Sequence, residues 1–183
     1  ASYRIKRTES KEAGRLLDRA TELSVQSGGD YRGNILATRI LLFIREKKEE
    51  LAGELCNEAL KLSLSSLSRK QILAYRGYLA YRKGERDLAL NDFLKARNAG
   101  DPELDSYTSI HLGKIFKEKG NFKQAEKYAL KALQLDRDAG RADLLAYDYE
   151  ILGQIMQAAA RSGKAREFYQ RSFDLYSALG DRR

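Results

Sequence analysis

The feature that most restricts this chain is a pair of small residues seven positions apart that returns five times along it. Ala13 and Ala20, Ala52 and Ala59, Ala89 and Ala96, Ala125 and Ala132, and Ala165 and Ser172 form the pairs, at intervals of 39, 37, 36 and 40 residues. Four residues after the first member stands Leu17, Cys56, Phe93, Ala129 or Tyr169, so each segment lays one apolar stripe along a helix. Gly77, Gly113 and Gly153 each precede their alanine by twelve positions. Between His111 and Leu133 the arrangement is complete: Leu112, Gly113 and Phe116 share one helix, Gly120 breaks the run, and Ala125, Ala129 and Ala132 share the next. A small residue on each helix lets two antiparallel backbones pass closely, while Leu112 and Phe116 fill the space beside the crossing. The repeated unit is a helical hairpin, and its repetition makes the chain all-α.

Capping signals mark the boundaries. Ser68 with Gln71 and Asn121 with Gln124 have capping-box spacing, and Asp101 before Pro102 supplies an N-cap and a proline at the first helical position. The pattern predicts about nine helices, near residues 8–26, 31–46, 48–64, 69–83, 85–98, 102–119, 121–136, 141–161 and 163–179. The 183 residues suit one domain, and the 33% of charged residues suits thin helical layers with much exposed surface.

These residues resemble the tetratricopeptide repeat family, whose repeats of about 34 residues are hairpins with small residues at fixed positions on both helices. Leu112, Gly113, Phe116, Gly120, Ala125 and Ala132 match its pattern in order. Gly77, Gly84, Ala89, Phe93 and Ala96 form a second match, with Ala80 in place of the usual aromatic, and Leu152, Gly153, Met156, Ala165 and Tyr169 a third, with Ala160 where glycine is common. The first full repeat is the most degenerate, with Ile40 and Lys47 at small-residue and glycine positions. The resemblance implies an α-solenoid of antiparallel helix pairs wound as a right-handed superhelix, with repeats near 31–64, 69–98, 102–136 and 141–179. The helix near 8–26 is then the orphan second half of a repeat, and the array is expected to continue in a longer protein. The long spacings, and the ending AREFYQRSFDLYSALGD, resemble the arrays of bacterial regulators in particular.

Catalytic chemistry finds little support in the residues. His111 is the sole histidine, which excludes a histidine-based triad within the chain, and its place in the repeat packs it between helices. The single Cys56 cannot form an internal disulfide and falls on the apolar stripe. It fits a reducing, cytoplasmic setting. Asp136, Asp138, Gly140 and Asp143 approximate a calcium loop, but the glycine is displaced and Tyr147 stands where the bidentate glutamate belongs. No enzyme, cofactor or metal is expected, and no run approaches the roughly 18 apolar residues of a membrane span. The start, ASYRIKRTES, is neither an initiator methionine nor a signal peptide, so processing or trimming upstream is expected.

The interaction surface remains. In the family, certain first-helix positions face a ligand in the concave groove. The resemblance places there Asn34 and Arg45 from the first full repeat, Gln71, Tyr78, Tyr81 and Arg82 from the second, Tyr107, Ile110, Lys114 and Lys117 from the third, and Tyr147, Glu150, Gln154 and Gln157 from the last. Tyrosine supplies rigid amphipathic contacts and the basic groups pair with carboxylates, so the expected partner is a protein or peptide segment that is acidic and bears apolar side chains. A chaperone tail is not expected, because Ala37 and Leu41 stand where the family's carboxylate clamp needs lysine and asparagine. The net charge of +8 also admits single-stranded nucleic acid, with bases stacked on tyrosine. A third reading is a self-assembling structural module. Phe168, Phe173, Leu175, Tyr176 and Leu179 leave the last hairpin without a polar cap, as an end that would join a second copy.

Overall fold

The computed structural model describes residues 31–180, with Arg19 alone before them. The orphan helix expected near 8–26 lies outside the described residues. Eight helices follow: α1 (Tyr31–Arg45), α2 (Glu49–Leu60), α3 (Ser66–Lys83), α4 (Arg86–Ala96), α5 (Pro102–Glu118), α6 (Phe122–Asp138), α7 (Ala142–Ala158) and α8 (Ser162–Ala178). Among the described residues there is no strand. The chain divides between Glu85 and Arg86 into two compact units.

The odd-numbered helices all end in the same way. Lys47, Gly84, Gly120 and Ala160 adopt positive φ, and the next residue closes back over the last turn. Lys48 N–H donates to Phe43 C=O at 2.9 Å, Glu85 to Ala80 at 2.9 Å, Asn121 to Phe116 at 2.9 Å and Arg161 to Met156 at 2.8 Å. These bonds satisfy carbonyls that a helix end leaves without partners.

The first unit packs α1, α2 and α3 around Ile40, Ala52, Cys56, Ala59 and Ile72, with Phe43, Leu64 and Tyr75 against them. Its α3 begins earlier than the capping-box spacing suggests. Ser65, not Ser68, is the N-cap and accepts from Ser68 N–H at 3.2 Å. Ser68 is instead fully buried inside the helix, where its hydroxyl donates to Asn34 Oδ1 at 3.0 Å. That contact requires Gly33. A methyl group on Gly33 would stand 2.5 Å from both Cβ and Oγ of Ser68. α2 stops at Leu60, four residues before the expected end, because Arg69 reaches back to the Leu60 and Leu62 carbonyls at 3.1 and 2.8 Å.

The second unit holds α4 to α8. Its core joins Ala125, Ala129, Ala132 and Leu133 of α6 to Ile151, Leu152, Ile155 and Met156 of α7 and Ala165 of α8. Gly113 is the close approach anticipated from sequence: a Cβ there would lie 3.3 Å from Ala125 O and 3.4 Å from Ala129 N. Gly153 instead lies under the ring of Tyr169, where a Cβ would stand only 2.7 Å from Cδ1 and Cε1 of that ring. Between successive even-numbered helices, Arg97 donates to Tyr128 OH at 3.1 Å, Lys131 to Asn98 at 2.8 Å, and Arg161 pairs with Glu126 at 2.9 Å.

Candidate functional site

Two odd-numbered helices of the second unit, α5 and α7, lie side by side and form a polar face. On α5, Lys114 and Lys117 are one turn apart; on α7, Tyr147, Glu150, Gln154 and Gln157 follow at intervals of three and four, which sets each group on one face of its helix. The two groups meet. Lys114 Nζ donates to Tyr147 OH at 3.2 Å and stands 5.9 Å from the centre of that ring. Lys117 Nζ donates to Gln154 Oε1 at 2.8 Å, and Gln154 passes the contact on to Glu150 Oε1 at 3.2 Å. Partial burial lowers the Lys117 pKa; Glu118 opposes the shift and Lys114 adds to it. A carboxylate docking between the two ammonium groups would meet positioned donors and relieve their repulsion.

Two residues assigned to this surface from sequence are placed differently. Ile110 is 6% exposed and belongs to the core of the second unit, so it supports the face from behind and offers no surface to a partner. Tyr107 sits edge-on to His111 with 4.6 Å between ring centres, and His111 in turn stacks on Phe93 at 5.0 Å. Burial, with help from Lys114, lowers the His111 pKa to about 3. The imidazole is a neutral packing group, as its repeat position implied.

At the far end of α7 the face turns a corner. Tyr169 OH donates to Gln157 Oε1 at 2.8 Å. A cavity of about 480 Å³ opens beside this bond, lined by Gln157, Ala165, Arg166, Tyr169, Gln170 and Phe173. Phe173 is 65% exposed. Burial first, then the charge of Glu150, raises the Tyr169 pKa.

In the first unit the candidate residues are partly or fully exposed, with Asn34, Arg45 and Arg82 on the surface. Arg82 pairs with Glu49 of α2 at 3.1 Å and donates to Tyr78 OH at 3.4 Å, contacts that raise its pKa, Tyr78 more than Glu49. Asn34 is occupied by Ser68. Gln71, Tyr78 and Tyr81 are half-buried, and Arg45 is exposed at the end of α1.

Sequence reasoning missed a buried acid cluster. Asp136 at the end of α6 and Asp148 in α7 are 2% and 1% exposed. Arg141, in the connection between them, donates to Asp136 Oδ1 at 2.5 Å and to Pro102 C=O at 3.4 Å. Burial, and then the neighbouring Asp136, raise the Asp148 pKa to about 8, against the opposing pull of Arg141. Asp148 stands five residues before Gly153, as Thr108 does before Gly113 and Ile72 before Gly77. That spacing was the available signal, since Ile72 marks the position as interior.

Residues 103–178 match the tetratricopeptide repeat family. The stretch from α5 to α8 is therefore built of tetratricopeptide repeats. Solved structures share the fold over nearly the whole chain. PilF of Pseudomonas aeruginosa is 20% identical, with 97% of this chain and 80% of that chain covered and a TM-score of 0.71. A signal transduction ATPase with numerous domains and a tetratricopeptide repeat sensor, from Pyrococcus horikoshii, is 19% identical over 94% of this chain and 28% of that chain, with a TM-score of 0.70. YrrB, a tetratricopeptide repeat protein with an unusual peptide-binding site, is 16% identical over 93% and 80% of the two chains, with a TM-score of 0.63. At these identities the likeness is one of fold. No curated protein matches the chain by sequence. No helix among the described residues is long and apolar enough to cross a membrane.

Proposed function

We propose that this chain is a non-enzymatic interaction module, and that the α5/α7 face of the second unit binds a peptide or helix of another protein carrying acidic and apolar side chains. The observation that carries the reading is the pair of cross-helix contacts, Lys114 with Tyr147 and Lys117 with Gln154. They hold two cations and an aromatic ring in place before a ligand arrives, which reduces the entropy lost on binding. The peptide-binding site of YrrB supports the same use of the fold. A place as the sensory or regulatory segment of a larger protein follows by analogy with the Pyrococcus horikoshii ATPase.

The test is a peptide array of varied acidic and apolar content, probed with the wild-type chain and with Lys114→Ala, Lys117→Ala. The double variant is expected to lose roughly tenfold or more in affinity for acidic peptides while its circular dichroism stays unchanged. Equal binding by both chains removes the proposed face.

Single-stranded nucleic acid is the second reading. One observation favours it: α3 carries Arg69, Lys70, Arg76, Arg82 and Lys83 with no acid, beside Tyr78 and Tyr81. Yet Arg69, Arg76 and Arg82 bond to Leu60 and Leu62, Asn57 and Glu49 of the same unit, which leaves fewer charges for phosphates. Binding of a single-stranded oligonucleotide that falls steeply with salt and survives the α5 double variant would move this reading to the front.

A further inference from the structure

The even-numbered helices carry a pattern that the α5/α7 face does not use. On α2, Glu50, Glu54 and Glu58 run along the exposed side at intervals of four, beside Leu51, which is 48% exposed. On α6, Lys123, Lys127 and Lys131 run at the same intervals, beside Leu130, which is 42% exposed. The two triplets occupy equivalent places. Each has its first member two residues before the alanine that begins the small pair, Ala52 in one helix and Ala125 in the other, and both alanines are fully buried. Helical geometry therefore gives both stripes the same spacing and the same place relative to the buried small pair of their own helix, with opposite charge. The intermediate helix shows mixed residues at these places, Asp87, Asn91 and Lys95, and α8 has Gly163, Glu167 and Arg171. Only α2 and α6 carry uniform triplets among the described helices.

We infer that a second copy of this chain is the partner of these stripes, the acidic side of α2 on one copy lying along the basic side of α6 on another, with Leu51 and Leu130 packed beside the ion pairs. Equal spacing lets every glutamate meet a lysine along aligned helices. Two of the six side chains already hold exposed partners: Glu58 pairs with Lys61 at 2.8 Å, and Lys131 bonds Asn98 at 2.8 Å. Such exposed contacts exchange at little cost. The interface joins unlike surfaces, so it is heterologous, and it builds chains of copies wherever it does not close on itself. Exposed ion pairs contribute little individually and are screened by salt, so association is weak and depends on concentration.

Sedimentation of the full chain across a wide concentration range at low ionic strength tests this. The wild type is expected to gain mass with concentration. The variant Glu50→Lys, Glu54→Lys, Glu58→Lys and the variant Lys123→Glu, Lys127→Glu, Lys131→Glu are each expected to remain monomeric. A mixture of the two regains association, because the lysines of one variant then meet the glutamates of the other. The second variant is the sharper of the pair. It lowers the net charge of +8, so general repulsion between copies falls while association must still be lost. The single reversals Glu54→Lys and Lys127→Glu disturb the helices less and must weaken association in the same direction. A wild type that stays monomeric throughout overturns the inference. So does association that survives both reversals and is lost in Phe173→Ser, which would place the contact on α8.

Discussion

The odd-numbered helices of the two units differ in where they keep their polar groups. In the first unit, α1 and α3 leave theirs exposed: Asn34 accepts from buried Ser68, and Arg82 is bound to Glu49 of α2 and to Tyr78 of its own helix. In the second, α5 and α7 hold theirs half-buried between the two helices, Lys114 to Tyr147 and Lys117 to Gln154. The buried side differs too, since equivalent interior positions hold Ile72 in α3 and Asp148 in α7. One backbone plan thus yields a unit held by close steric fit and a unit that also carries polar groups in its seams. The same repeat position does not fix the same chemistry; the neighbours that each side chain meets decide it.

Replacing the crossing glycines breaks this contrast most severely. In Gly33→Ala the new methyl group meets Cβ and Oγ of Ser68 at 2.5 Å, and a Cβ attached to a packed helix cannot move aside alone. A loss of about 3 kcal/mol is expected, as for overpacked cores. In Gly113→Ala the nearest atoms are Ala125 O at 3.3 Å and Ala129 N at 3.4 Å. A shift of a few tenths of an ångström suffices there, and alanine favours the helix by about 1 kcal/mol over glycine, so the net loss stays below about 1 kcal/mol. Urea unfolding of both variants ranks them, and equal losses would refute the distinction between the two crossings.

Asp148 gives the contrast a pH dependence. Its pKa is raised from 3.8 to about 8 in the folded chain. As pH climbs through that window the unfolded chain releases the proton while the folded chain keeps it, so this group's contribution to stability falls until about pH 8 and is flat above. Asp148→Asn retains a donor for Asp136 and removes the titration. The variant is expected to match the wild type near pH 4 and to exceed it by about 2 kcal/mol at pH 8. His111 is neutral in both chains and cancels in the difference. Thermal melts across pH check the sign; an advantage that shrinks as pH rises contradicts the buried acid pair.

Residue spacing made the hairpins legible because a glycine or alanine at a helix crossing is a local requirement. Gly113, Ala125 and Ala129 were readable on that ground, whereas the register assigned Lys114 and Tyr147 to one surface without pairing them, and their contact came only with the fold. Contacts that depend on a particular third helix were not. Ser68 has the spacing of a cap, yet it is buried because α1 arrives over it at Gly33. Ile110 has the register of a surface residue, yet it is enclosed in the core with Ala129, Ala132 and Tyr149. Asp136 and Asp148 look like surface acids in a charged sequence, and only the fold shows that Arg141 shares their seam.

The smallest effect concerns the turns, where the two units depart from the pattern in the same way. Lys47 ends α1 with φ of 60°, and Ala160 ends α7 with φ of 57°; Gly84 and Gly120 do the same work at the ends of α3 and α5 with no Cβ to crowd the carbonyl. A non-glycine residue held in the left-handed region costs about 1 kcal/mol or more, and the closing bonds from Lys48 to Phe43 and from Arg161 to Met156 keep it there. Glycine also gives the unfolded chain more freedom, which offsets part of the gain. Lys47→Gly and Ala160→Gly are therefore each expected to stabilise the chain by about 0.5–1 kcal/mol, a rise in melting temperature of about 1–4 °C. Placed together, the substitutions lie in different units, far apart in sequence, so their effects should add. A combined gain well below the sum would mean that melting reports only the weaker unit, and the single variant that moves it identifies which unit that is.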